Sequence, residues 1–409
     1  MSTHRTAPRA ETGGASREEF LERYPGYART AALDGIRAAE FSRLDRLGHV
    51  YLDYTGGGLY GESHVRGHAD FLLANVLGNP HSTNPTSILA TDCVERCRHR
   101  ILAFFNASPA EYIPILTANA THALKLVGEG YPFCPGDVLL LSFDNHNSVN
   151  GIREYDRIHG AVTKYVPVMP PDMRILDCVL ERCLAENPRS CNRLFAYPAQ
   201  SNFSGVQHPL EWIERAHDAG WDVLLDAAAF VPTNRLDLAR FHPDFVAVSF
   251  YKMFGYPTGV GALIARREAL EKLQRPWFAG GTITVASVQA DRHFLAAGAQ
   301  GFEDGTLNYA CLPAVESGLD FIDSIGLDAV HERVMCLAAW LLENMTAMTH
   351  ANGRSVVRVY GPVDTRMRGA TIAFNVYDGA GESISHLVVE ERATRRRISL
   401  RTAYSCNTG

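Results

Sequence analysis

Short apolar runs alternate with amphipathic stretches along most of the chain. Apolar runs at 112–116, 138–142, 194–197, 223–225 and 245–249 predict strands. Helical periodicity fills most of the gaps, around 122–128, 173–186 and 210–219. A longer helix is predicted near 86–105, with Leu89, Val94, Cys97, Ile101 and Phe104 facing inward. Apolar strands alternating with helices predict an α/β architecture, a mainly parallel sheet covered on both faces. Ligands of such sheets bind beyond the carboxyl ends of the strands. The residues that follow each run are therefore the first place to look for chemistry.

The flanks read differently. Ser16 and Glu19 form a capping-box pattern that starts a short helix carrying Phe20 and Leu21. An extended run at 50–54 is broken by Gly56, Gly57 and Gly58. Past Pro313 the alternation stops; a helix near 329–348 and extended runs at 370–377 and 398–402 predict a smaller α+β domain. The expected organisation is a disordered tail over 1–17, a segment at 18–50 packing with the small domain, a large domain over 51–315, and the small domain over 316–409.

Composition narrows the classes. The 409 residues are 46% hydrophobic, enough for a large core, and carry a formal net charge of −6. No basic field favours nucleic acid or an anionic membrane. No apolar run reaches the roughly 18 residues that a membrane helix needs. The first residues lack the apolar stretch of a secretory signal, and the nine cysteines are scattered, so a cytoplasmic protein is expected. Cys93 and Cys97 lie four apart but read as core residues, and no metal site is expected. The basic run Arg392, Arg395, Arg396 and Arg397 reads as a solvated face.

Candidate chemistry sits at the strand ends. Asp226 closes the run LLD, where a carboxylate is costly without a cationic partner. Lys252 follows Ser249, the end of another run, by three residues. A lysine amine and a carboxylate facing one ligand suit pyridoxal 5′-phosphate (PLP). The amine forms a Schiff base with the cofactor aldehyde, and the carboxylate keeps the pyridine nitrogen protonated. After the 112–116 run comes Thr117-Ala118-Asn119-Ala120-Thr121, then a helical stretch: small and hydroxylated residues that would offer backbone N–H groups to a phosphate. Ser249 adds a hydroxyl, and the loop from Ala279 to Thr282 is a second place of close approach. His146 follows a strand and suits stacking on a planar ring and moving a proton. Asn202 suits a hydrogen bond to a ring hydroxyl, with Gln200 as a competitor for that role.

These residues carry a resemblance. YLDYTGGG, GNPHS, TANATHALK, HNSVNGIR, YPAQSNFSG, LLDAAAFVPT, SFYKMFGYPTGVGAL, FEDGT and ISLRT are similar to the class V, fold-type I PLP enzymes of the cysteine desulfurase family. They most resemble the PLP domain of molybdenum cofactor sulfurases. The resemblance implies a homodimeric PLP enzyme with Lys252 as the Schiff-base lysine, Asp226 at the pyridine nitrogen and His146 on the ring. It further implies Asn202 at the ring oxygen, and Ala120, Thr121 and Ser249 at the phosphate. Thr282 would reach the partner subunit's phosphate. Ala229 stands where bacterial desulfurases often carry Gln.

Relatives also carry a nucleophilic cysteine on a small-domain loop, which places Cys406 as the sulfur carrier between L-cysteine and an acceptor. Only the thiolate attacks, so nearby cationic help matters. Arg401 is the candidate, either for the thiolate or for the substrate carboxylate. The segment departs from the family pattern at Ala403 and Thr408. Relatives continue past the position of Gly409, so the small domain is expected to be truncated or to end early. The molybdenum cofactor branch adds an acceptor domain that these 409 residues do not include, which leaves the acceptor open. The alternative is another PLP reaction on the same fold, a C–S lyase, an epimerase or a transaminase-like enzyme, that does not use Cys406.

Overall fold

Every apolar run singled out above becomes a strand of one sheet. The structure, a computed structural model, describes residues 16–186 and 192–402. Edge to edge, the seven strands are Tyr112–Thr117, Gly261–Arg266, Phe245–Ser249, Asp222–Asp226, Arg193–Pro198, Val138–Ser142 and Val162–Val166. Six point the same way. Gly261–Arg266 alone runs against its two neighbours. The sheet is thus mixed but mostly parallel, as an α/β reading requires, and helices cover both faces.

Two strands escaped the sequence pattern. Val162–Val166 is an edge strand whose exposed and half-buried residues dilute the apolar signal. Gly261–Arg266 opens on a glycine inside a small-residue run, which reads as a loop. The helix expected from residue 173 begins only at Asp177, because Met173 takes a positive φ of 57° and the chain turns there first.

The long helix is Pro85–Phe104. Val94, Cys97 and Ile101 lie in the core as expected, whereas Leu89 and Phe104 are only half-buried. Ala90, Cys93 and Arg98 share the inner face instead. Arg98 is buried because Glu303 meets it with two hydrogen bonds of 2.7 Å, and Pro114 O accepts a third. Glu303 also accepts from Leu116 N at 2.8 Å. The FEDGT motif thereby braces the edge strand that leads into the Thr117–Thr121 loop.

The flanking segments meet each other across the chain. Helix Arg17–Arg23, capped by the Ser16–Glu19 box, packs with Pro25–Arg29 near helix Leu327–Ala347, where Arg23 pairs with Glu343 at 2.9 Å. Val50–Tyr51 pairs in parallel with Ile398–Ser399. A separate antiparallel sheet of Val357–Tyr360, Ala373–Tyr377 and Ser383–Ile384 lies against its own apolar cluster.

Candidate active site

Five strand-end segments converge on a cavity of about 150 Å³, lined by Ala120, Thr121, His146, Asn202, Asp226, Ser249 and Lys252 among others. Each arrives by a local device. Helix Ala120–Gly130 is capped by Asn119, whose side chain accepts from His122 N at 2.9 Å. The Thr117 hydroxyl donates to Asn119 O at 2.9 Å, and Ala120 N donates to the Ser249 hydroxyl at 2.8 Å. This places the helix N-terminus, the Ser249 hydroxyl and the positive end of the macrodipole at one wall.

Gly261 makes that wall possible. It sits opposite both Thr117 and Ser249 in the sheet. A Cβ there would lie 2.7 Å from the Asn119 backbone and 2.7 Å from Val248 O. The bare strand lets the Thr117–Thr121 loop settle onto the sheet.

His146 is held on a loop fixed from below. The Asn145 amide donates to Ser142 O at 3.0 Å and Ala196 O at 2.9 Å. Asp144 meets His208 at 3.0 Å, both buried. Burial pushes the Asp144 carboxyl up, but His208 and further hydrogen bonds outweigh it and hold the group below its ordinary value. Burial also holds the His146 imidazole below its ordinary value; the nearby Asp226 charge opposes that shift and Lys252 adds to it. The ring therefore senses both the lysine and the carboxylate.

Asp226 is 8% exposed, and its carboxylate accepts from Ala228 N at 3.0 Å. Lys252 lies on the short helix Phe250–Phe254, and its Nζ donates to Asn202 Oδ1 at 3.1 Å. Gly255 ends that helix with a φ of 77°. The triple-glycine loop packs beside it, Gly58 N donating to Tyr251 O at 3.1 Å.

The sequence candidates separate here. Lys252, Asp226, His146, Asn202, Ser249, Thr121 and Ala120 come together, and Gln200 joins them. Gln200 is engaged at its carbonyl by Gln207 at 3.1 Å. Thr282 does not line this cavity; it is fully buried and closes its own loop through Ala279, with bonds of 2.8 and 2.9 Å. Arg401 does not line it either. Its guanidinium grips Asp53 side-on, Nε to Oδ1 at 2.7 Å and Nη2 to Oδ2 at 2.8 Å. Cys406 lies outside the described residues. Ser148 and Tyr251 line the cavity but were not singled out from sequence. The signal for Ser148 was a hydroxyl two residues after a histidine at a helix start.

Among the described residues, no group of three or more His, Cys, Asp or Glu side chains is placed to hold a metal, and no helix is long and apolar enough to cross a membrane.

The donor set fits a phosphorylated, aromatic aldehyde: an amine, a buried carboxylate, an imidazole near both and a hydroxyl-lined helix N-terminus. The pattern of the family described as "Aminotransferase class-V" matches residues 50–406. Molybdenum cofactor sulfurase of Homo sapiens is 38% identical over 92% of this chain and 44% of its own length. The Solanum lycopersicum molybdenum cofactor sulfurase is 36% identical over 97% of this chain and 52% of its own. The chain thus spans about half the length of these curated relatives. An apo cysteine desulfurase from Thermococcus onnurineus superposes with a TM-score of 0.76 at 23% identity, covering 91% of this chain and 88% of that one.

Proposed function

The chain belongs to the aminotransferase class-V family of PLP enzymes, and from that premise we propose that it mobilises sulfur from L-cysteine. The overall reaction is L-cysteine plus the Cys406 thiol giving L-alanine plus a Cys406 persulfide, which an acceptor then discharges. The Cβ–S bond breaks, the sulfur bonds to the Cys406 sulfur, and Cβ takes a proton. The observation that carries this reading is the meeting of Lys252 and Asp226 with a hydroxylated helix N-terminus in one cavity.

When bound, PLP supplies an electron sink that labilises bonds near the substrate's α-carbon. The chain's own residues do the rest. Lys252 Nζ holds the aldehyde and moves protons. Asp226, buried and short of water, keeps a proton on the ring nitrogen. Ala120, Thr121 and Ser249 would hold the phosphate, with the Ala120 N–H turning from the Ser249 hydroxyl to the anion, His146 would cover the ring, and Asn202, which accepts from Lys252 Nζ, would also meet the ring oxygen. The Arg401–Asp53 pair favours a role different from the two expected of Arg401, which were support of the thiolate and binding of the substrate carboxylate: it would steady the segment that leads to Cys406.

The assembly we propose is a homodimer. The hairpin of Ile283–Ser287 and Arg292–Leu295 follows the Thr282 loop and exposes Val285, Val288 and Phe294, with Trp277 and Phe278 half-exposed nearby. An apolar face of this kind suits burial against a second subunit, which would bring the loop from Ala279 to Thr282 near the partner's site, where Thr282 could reach the partner's phosphate only if its bonds to Ala279 open.

The test is incubation with L-cysteine and a reducing thiol, following alanine, sulfide and persulfide on Cys406. Cys406→Ala should keep the visible cofactor band and lose persulfide transfer. Unchanged sulfur transfer in that variant rejects the role of Cys406. Turnover of another amino acid, with no alanine formed from cysteine, would favour a different PLP reaction on this fold.

A further inference from the structure

We infer that Ser148 holds His146 as the tautomer protonated on Nε2, so that the ring offers the cavity a hydrogen-bond donor and not a base. The inference deepens the cofactor-site reading, but only its use of that donor rests on the reading.

Ser148 N donates to His146 Nδ1 at 3.1 Å. A ring nitrogen that accepts carries no proton, and a neutral imidazole has a single N–H, which leaves Nε2 as its site. The donor is a built-in one. Ser148 stands in the first turn of the helical segment Asn147–Asn150, where backbone N–H groups have no intrahelical carbonyl to meet. His146 is its cap, and a proton on Nδ1 would set N–H against N–H.

A second bond ties the same residue to the phosphate wall. The Ser148 and Thr121 hydroxyls lie 2.7 Å apart. Ser148 therefore positions the ring through its backbone and the Thr121 hydroxyl through its side chain. The loop cannot easily swing, because Asn145 and Asp144 are anchored to the sheet and to His208. The groups facing the ring are Asp226 and Lys252, and burial outweighs their sum to favour the neutral form. The consequence is that His146 gives the cavity a hydrogen bond from Nε2 and keeps its unprotonated Nδ1 turned to Ser148.

The tautomer is readable without turnover. The full chain is labelled with ¹⁵N-histidine, and two-bond proton–nitrogen correlations are recorded at about pH 7.5, with and without PLP. His146 is identified by its absence in His146→Gln. The expected pattern is a pyridine-like Nδ1 and a pyrrole-like Nε2 in both states. Ser148→Ala keeps the backbone N–H, so it should keep that pattern while weakening PLP affinity by about three- to ten-fold, the loss of one hydroxyl bond. A pyrrole-like Nδ1, an imidazolium at that pH, or loss of the pattern in Ser148→Ala overturns the inference. Failure to bind PLP with the tautomer intact would overturn the cofactor reading and leave this one standing.

Discussion

The cavity and the seam around Arg401 are built on opposite plans. Cavity groups are delivered from strand ends, fixed by caps and by short-range bonds within the site, and most are buried. The seam joins distant parts of the chain over exposed ground. Asp53 and Arg401 meet side-on, Thr55 and Thr371 share a hydroxyl bond of 3.0 Å, and Gly56 leaves the space the guanidinium occupies. A Cβ on Gly56 would fall 2.1 Å from Arg401 Nη2. The lesson is that the cavity depends on backbone placement, whereas the seam also relies on a partly exposed, screened ion pair.

That contrast orders the expected effects. The largest belongs to Lys252→Ala, which should abolish the visible cofactor band and all turnover of L-cysteine, measured by absorbance and alanine assay. Next comes Gly261→Ala. The new methyl meets backbone on both sides, so the sheet or the Thr117–Thr121 loop must shift; about 1–3 kcal/mol of stability should go, with weaker PLP binding. A denaturant titration that shows no loss would mean the loop is held elsewhere. The smallest effect is at the seam. Asp53→Asn should cost about 1 kcal/mol or less and leave the cofactor band unchanged, while slowing persulfide formation on Cys406. A cofactor band lost in Asp53→Asn would erase the distinction between the two regions.

Acid provides a further separation. Burial holds His146 below the ordinary 6.5, so the unfolded chain takes up that proton first. Stability from this group is complete above about pH 6.5 and falls as the pH drops below it. His146→Asn should flatten that part of the stability profile, read by thermal melts across the pH range.

The same contrast explains what could be read from sequence. Asp226, Ser249 and Lys252 were visible because a strand end and a short motif suffice to place them. Ser16 is legible as a local cap, whereas the capping role of Asn119 shows only in the structure. Long-range facts were not. Nothing near Arg98 announces a buried arginine; its partner Glu303 is 205 residues away. Arg401 read as a ligand for substrate or thiolate, because the carboxylate that occupies it lies at the other end of the chain. The strand Gly261–Arg266 hid behind its glycine, the residue that the cavity wall requires.

The spacing between Asp53 and Arg401 also sets a timetable for synthesis. They are 348 residues apart, whereas the cavity residues from Asn119 to Lys252 form one contiguous stretch. On the ribosome, the cavity's segments emerge and can pair well before Arg401 is translated. The seam closes last, so the segments of the cavity can meet before the clasp between Asp53 and Arg401 forms.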